Sequence, residues 1–283
     1  MRRAVGLIAL AFVLAGCATA RQAPEVLRYG VTIDDITSIT QIVPSLSHLP
    51  RRLWVRVVFD PGIGPAGYRD AVDRIAGVGD ILAEPVDSSA VAGYTPARYR
   101  QRFDRYVAAF AGKVAAWEIG NEVNGDWLGP AARVRRDIAV AYQVVRDAGG
   151  RTALTLSYEP GCGTDMFAWA GANIPPALRD GLDYVLVSYY ADDCDGYEPG
   201  DSEWTRVFTR LHHLFPHARL GFGEVGTHQG DPAASKLATL NRYYRLRIGV
   251  PGYFGGCFWW YYAEDMLPYQ RNPLWHALAA SMR

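Results

Sequence analysis

Two glutamates close short apolar runs far apart in the chain. Residues 114–122 read Val-Ala-Ala-Trp-Glu-Ile-Gly-Asn-Glu and end at Glu122; residues 218–224 read Ala-Arg-Leu-Gly-Phe-Gly-Glu and end at Glu224. Asn121 stands directly before the first, and Gly223 and Gly226 leave room beside the second. Glycoside hydrolysis needs two carboxyls across one bond, a proton donor and a nucleophile or base. As the donor, Glu122 must stay protonated at working pH, which the charge of a neighbouring Glu224 would favour. The competing reading of Glu122 is an acid at a helix N-terminus, held by the helix dipole.

Such a pair needs strands to carry it. Eight strand-like runs alternate with helix-like ones, at 28–33, 53–59, 80–86, 114–121, 152–158, 183–189, 219–224 and 253–260. That alternation predicts a parallel α/β architecture, and eight units without a linker predict a single (β/α)8 TIM barrel. Thr95-Pro96 should open a helix running to Lys113, and Asp231-Pro232 another over 232–248. Gly149-Gly150 should close the helix that begins near Pro130, and a first helix near 36–48 contains Pro44. A doubly wound open sheet is the main alternative. It lacks support, because Gly30-Val31-Thr32-Ile33-Asp34-Asp35 is no glycine-rich phosphate fingerprint.

With these residues in place the chain resembles the retaining (β/α)8 glycoside hydrolases of clan A. There the acid/base Glu follows an Asn at the end of strand four, and the nucleophile Glu ends strand seven; the matching residues are Asn121, Glu122 and Glu224. The resemblance implies further roles. An Arg on strand two holds the nucleophile ionised, which falls on Arg56. Asn121 would hold the sugar 2-hydroxyl. A Tyr after strand six hydrogen-bonds the nucleophile; Tyr190 is preferred, with Tyr189 open. A Trp after strand eight floors the reacting-sugar subsite, which falls on Trp260, leaving Trp259 to pack outward. Trp127 is either a further sugar platform or a loop aromatic packing on its helix.

Independently of the resemblance, a charged Arg56 inside an apolar strand must find a carboxylate, either Glu224 or Glu118. Glu118 reads as a structural acid deep in the barrel, and Glu159 as a solvated loop acid, with a place lining the cleft as the alternative. Tyr29 and His228 are further candidates for the cleft. The acidic loop Ala191-Asp192-Asp193-Cys194-Asp195-Gly196 has no EF-hand spacing, and no H-E-x-x-H or G-x-S-x-G occurs. No metal and no cofactor is expected. His212, His213 and His217 are read on one helix near its C-terminus, where the helix dipole favours them.

The chain has 283 residues, 49% hydrophobic and 20% charged, with a formal net charge of zero. That suits one barrel domain of ordinary size. Without residues 1–16, which hold Arg2 and Arg3, 27 basic residues face 29 acidic ones, a net of −2. No basic excess marks a nucleic-acid partner. Arg2-Arg3 followed by the apolar run Val5 to Leu14 is a signal peptide too short to span a bilayer. Leu14-Ala15-Gly16-Cys17 looks like a bacterial lipobox, with Cys17 the lipidated first mature residue; an ordinary secretory signal is the alternative. The expected organisation is a signal peptide over 1–16, a tether over 17–27 and a catalytic barrel over 28–283. The lipid would fix a monomer to the cell envelope, at the outer membrane in a Gram-negative source. In an oxidising compartment Cys162 and Cys194, both in loops on one rim, form a disulfide or remain free thiols. Cys257 reads as a buried, inert thiol.

The expected activity is retaining hydrolysis of O-glycosidic bonds in a poly- or oligosaccharide. The alternatives are a barrel that binds carbohydrate without cleaving it, and a phosphate-handling barrel enzyme. The latter would show a glycine-rich cradle after strand seven, where Val225-Gly226-Thr227-His228-Gln229-Gly230-Asp231-Pro232 is not one.

Overall fold

A computed structural model describes residues 27–283. The expected signal peptide, Cys17 and the expected tether up to residue 26 lie outside the described residues.

Each strand is a short apolar run, buried along nearly its whole length, as parallel strands covered by helices must be. The strands are β1 (Arg28–Ile33), β2 (Leu53–Val58), β3 (Gly79–Glu84), β4 (Val114–Gly120), β5 (Thr152–Ser157), β6 (Tyr184–Tyr189), β7 (Arg219–Val225) and β8 (Tyr253–Trp259). All neighbours pair in parallel and β8 returns to β1, so the sheet closes as an eight-stranded barrel. The chain is therefore a single (β/α)8 barrel.

The helices are α1 (Ile39–Ser47), α2 (Pro65–Val78), α3 (Pro96–Phe110), α4 (Ala131–Asp147), α5 (Met166–Asn173), α6 (Pro176–Gly181), α7 (Asp201–Leu214), α8 (Ala233–Tyr243), α9 (Tyr262–Met266) and α10 (Pro273–Ser281). Thr95 caps α3 by accepting from the Arg98 amide. That helix stops at Phe110, three residues before the expected end, because the turn needs Gly112 at φ +83°. Asp231 does not cap α8: its carboxylate accepts from the His228 amide instead. The helix stops at Tyr243, not at 248. From Tyr244 onward the chain turns inward, burying Leu246 and Ile248. The Tyr244 hydroxyl donates to Gly30 O at 2.6 Å and accepts from Trp259 N at 2.9 Å, tying the β1–β8 seam shut.

Two apolar layers result. Trp54, Leu82, Ala116, Ala153, Tyr184, Leu186, Phe254 and Phe258 fill the barrel interior. The second layer lies between sheet and helices, where Trp204 of α7 stands edge-on to Phe222 at 4.8 Å and to Tyr189 at 5.1 Å. Such pairs contribute about 0.5–1.5 kcal/mol each beyond burial. Tyr29 belongs to this layer and not to the cleft: it is buried, stacks on Tyr244 and donates to Ser281 O.

Candidate active site

Inward positions recur every second residue on a strand. Above the apolar interior, the next inward positions are Arg56 on β2, Glu84 on β3, Glu118 on β4 and Thr155 on β5. They form a fully buried polar layer. Arg56 Nη2 donates to Glu118 Oε1 at 2.7 Å, and Arg56 Nε lies 3.5 Å from Glu84 Oε2. Thr155 hydroxyl also donates to Glu118, and Arg56 Nη1 donates upward to Glu224 Oε1 at 2.5 Å. The two partners open to Arg56 in the sequence are thus held together.

One guanidinium therefore serves three carboxylates. Burial alone would lower the Arg56 pKa, but Glu118, Glu224 and Glu84 outweigh it and hold the charge. Burial, with Glu118 beside it, pushes the Glu84 carboxyl well above the usual range. Burial also raises Glu118, to about 7. Neither Glu84 oxygen has a hydrogen-bond partner among the described residues, so Arg56 alone offsets its burial.

Glu224 is the upper end of this layer. Oε1 accepts from Arg56 and from Asn121 Nδ2 at 2.6 Å, and Oε2 accepts from the Tyr190 hydroxyl at 3.0 Å. Three donors hold one carboxylate in place. Asn121 is itself fixed, since its Oδ1 accepts from the Ser88 amide at 3.2 Å. Tyr190 is the residue facing Glu224, whereas Tyr189 points into the helix layer against Trp204.

Among the described residues, Glu122 has no cation beside it. Oε1 accepts from the Ser188 hydroxyl at 2.6 Å and Oε2 from the Ser88 hydroxyl at 3.1 Å. Burial raises its pKa first and the Glu224 charge second, to about 8. The sequence reading named only the charge; burial is the larger cause. Glu122 also sits at φ +45°, a conformation costly for a residue with a Cβ.

Three register shifts place these residues. On β4 the pairing with β5 slips between Glu118 and Gly120, and on β7 the pairing with β6 slips past Gly223. On β8 the pairing with β1 slips past Cys257, where Gly255, Gly256 and Cys257 all have positive φ. Strict alternation would send Asn121 and Glu122 to opposite faces; the β4 bulge turns both to the mouth. Gly223 is required because a Cβ there would stand 2.8 Å from Leu186 Cβ and 2.9 Å from Thr155 Cγ2.

Around the pair, Gly226 lies against Tyr190 and Trp260: a Cβ on it would be 3.1 Å from Tyr190 Cε1 and 3.8 Å from Trp260 Cβ. Trp260 is half-buried at the rim, and Trp259 faces outward, donating to Asp265. Trp127 is 47% exposed, its indole folded over Gly125. Asp34, at the end of β1, is raised to about 6 by burial first and Glu264 second. Arg102 of α3 holds the neighbouring loops by donating to Phe59 O, Asp60 O and Pro85 O.

The sequence had not singled out Ser88, Ser188, Glu84 as a layer member, Thr155 or Asp34. Ser188 was within reach, because it follows inward Tyr184 and Leu186 at period two. Ser88 carries no such signal, since its loop position depends on tertiary contacts. Glu159 is half-buried, accepting from Ser157, and lines a cavity of about 550 Å³ with α7. Cys162 and Cys194 are bonded, joining the loops after β5 and β6; Cys257 is buried and free. Asp192, His228 and Asp231 converge at the surface beside the mouth.

No protein-family model matches the chain, and no curated protein matches it by sequence. Solved structures share its fold. A xylanase of glycoside hydrolase family 10 from Thermobacillus composti aligns with TM-score 0.61 at 10% identity, over 90% of this chain and 96% of that one. A family 5 subfamily 18 protein from Bifidobacterium longum subsp. infantis aligns with TM-score 0.60 at 15% identity, over 90% and 78%. A thermostable mutant of a xylanase from Cellvibrio japonicus aligns with TM-score 0.57 at 13% identity, over 92% and 98%. At these identities the likeness is one of fold.

Proposed function

We propose that this chain is a retaining glycoside hydrolase that cleaves O-glycosidic bonds of a poly- or oligosaccharide by double displacement. The observation that carries the reading is the contrast between two carboxyls at one mouth. Glu224 is held by Arg56, Asn121 and Tyr190, whereas Glu122 has only hydroxyl donors and a pKa raised to about 8. Charged and amide donors around one carboxyl, and hydroxyl donors alone around the other, assign an anion and an acid. The fold shared with xylanases of known structure supports it.

Glu224 attacks the anomeric carbon while Glu122 protonates the departing oxygen. The glycosyl ester that forms removes the Glu224 charge, so Glu122 becomes more acidic and accepts a proton from the attacking water. Arg56 and Tyr190 hold the nucleophile in line. Asn121 already meets Glu224 and Ser88, so a sugar 2-hydroxyl shares its amide with Glu224. Trp260 offers an apolar face to the sugar ring beneath, and Trp127 a second one farther along. We further propose that a lipid on Cys17 holds the protein at the cell envelope.

The test is a Glu122→Ala variant assayed on glycosides with good and poor leaving groups, with and without azide. Turnover should fall most for poor leaving groups, and azide should restore it for an activated glycoside. Equal losses without azide rescue would remove Glu122 from the acid/base role. Glycan binding by Glu224→Gln, with no reducing ends released by wild type, would make the barrel a binding protein.

A further inference from the structure

A formal charge of zero conceals a separation of charge between the two ends of the barrel. The connections leading from each strand to the next flanking helix form the mouth; they hold fifteen Asp and Glu residues and a single Arg, Arg271. The connections leading back from helix to strand form the base. They hold six Arg and Lys residues and a single acid, Asp183. Helix ends add Asp73, Asp147 and Asp180 to the base, and β3 adds Asp80. Three acids there are matched by base cations: Arg52 with Asp80, Lys113 with Asp73, and Arg146 with Asp183. Arg51, Arg151 and Arg247 are exposed and donate to uncharged partners, Met282 O, the Tyr184 hydroxyl, and Tyr244 O with Leu246 O. Arg245 is exposed without an ion-pair partner among the described residues, and Arg28 at the start of β1 is exposed too. Asp147 and Asp180 remain as acids there, and Asp183 also acts on Arg151, so the base carries a modest excess of positive charge.

The described chain enters at this same face. Leu27 lines a cavity of about 1020 Å³ at the base with His212, His217, Arg219 and Arg247. Cys17 lies ten residues before it, a length that reaches at most about 35 Å when fully extended. A protein held by a lipid on so short a tether keeps its entry face close to the bilayer.

We propose that the base of the barrel is a docking surface for an anionic phospholipid bilayer, so that the mouth is turned away from the membrane. The tether argument rests on the lipid-anchor reading; the charge argument stands without it. Basic side chains gain from an anionic headgroup layer only within about a Debye length, roughly 8 Å; a tether of at most about 35 Å does not hold them there, but it lets the base return to that range repeatedly. The acidic mouth is repelled by the same surface, so both ends set one orientation. The occupant is the headgroup layer, not free phosphate: the cations are spread across the whole base and do not converge on one point.

The test places an environment-sensitive label on the processed full chain through Gly249→Cys at the base or Gly230→Cys at the mouth. An added Cβ meets nothing within 4 Å at either glycine, and the native thiol Cys257 is buried. Vesicles of phosphatidylcholine, with or without phosphatidylglycerol, carry a brominated quencher in their acyl chains. With phosphatidylglycerol the base label should be quenched and the mouth label not, and raised salt should relieve the quenching. Combined Arg51→Gln, Arg151→Gln, Arg245→Gln and Arg247→Gln should lower binding of the acyl-free chain to such vesicles by about tenfold or more. Equal quenching at both ends, or quenching independent of phosphatidylglycerol, overturns the proposal. The mass of the first mature residue reads the lipid anchor separately. If Cys17 is unlipidated that reading fails, and sedimentation with anionic but not neutral vesicles still decides the base surface.

Discussion

Arg56 and Glu224 form a buried ion pair, Nη1 to Oε1 at 2.5 Å, on the same guanidinium that meets Glu118 at 2.7 Å. The nucleophile candidate is thereby part of the barrel's interior polar layer and not an isolated rim residue. Its orientation is fixed from below by β2, and from the side by β4 and β6 through Asn121 and Tyr190.

Arg56→Met should therefore cost stability before it costs chemistry. Removing one member of a buried ion pair typically destabilises by about 3–5 kcal/mol, and here three carboxylates lose their shared cation. Urea unfolding is the measurement. Adding Glu118→Gln in the same chain should recover part of the loss, because one uncompensated charge is gone. A loss below about 1 kcal/mol in Arg56→Met would mean that the layer is not held by charge.

On the proposed mechanism Glu122 should set the basic limb of the pH profile. Its pKa is raised to about 8 by burial and by Glu224, so kcat/KM should fall as pH rises through about 8. The Ser188 hydroxyl lowers that pKa by donating to the carboxylate, so Ser188→Ala should move the limb to higher pH. The same group acts on stability. Its folded pKa lies above the ordinary value of 4.5, so its contribution is full below about 4.5 and is lost as pH rises through about 8. Glu122→Gln should flatten that part of the stability curve, measured by unfolding at several pH values. An unmoved limb in Ser188→Ala would detach the limb from Glu122.

Much of this was legible in the chain, for a physical reason. Parallel strands buried on both faces must be apolar runs, so the eight strands stood out to within one or two residues. Helix ends were harder. Gly112 ends α3 early, and Tyr244 ends α8 early because its hydroxyl closes the β1–β8 seam, a contact between residues more than two hundred positions apart. Glu122 and Glu224 were visible as strand-end acids. Their partners were less so: the bulges on β4, β7 and β8 break the alternation from which inward positions are read. Ser88 reaches Glu122 from the loop after β3, which is held by Arg102 at Pro85 O and by the Ser88 amide on Asn121.

Gly226 tests how closely Tyr190 must be placed. A Cβ there would press on the Tyr190 ring at 3.1 Å, so Gly226→Ala should shift the hydroxyl from Glu224 Oε2. A hydrogen bond to a charged group is worth about 1.5–3 kcal/mol, so kcat should fall by roughly ten- to a hundredfold. Tyr190→Phe should fall by a similar amount, and the two together by little more than either alone. Additive losses would show that Gly226 acts on Trp260 or on the backbone instead.

The Cys162–Cys194 bond closes a loop of 32 residues and ties the β5 loop to the β6 loop that carries Tyr190. By the chain-entropy relation a loop of this length contributes about 3–4 kcal/mol, by restricting the unfolded chain. Replacing both cysteines with Ala should lower the unfolding free energy by that amount. Because Tyr190 is also held through Glu224, activity below the new transition should change less than stability does. In the native wild-type protein no thiol of residues 27–283 should react with a small alkylating reagent, since Cys257 is buried. After denaturation without reductant one should react, and after reduction three. Three reactive thiols in the denatured, unreduced protein would show that the loops are joined by packing alone, and the double Ala variant should then be nearly as stable as wild type.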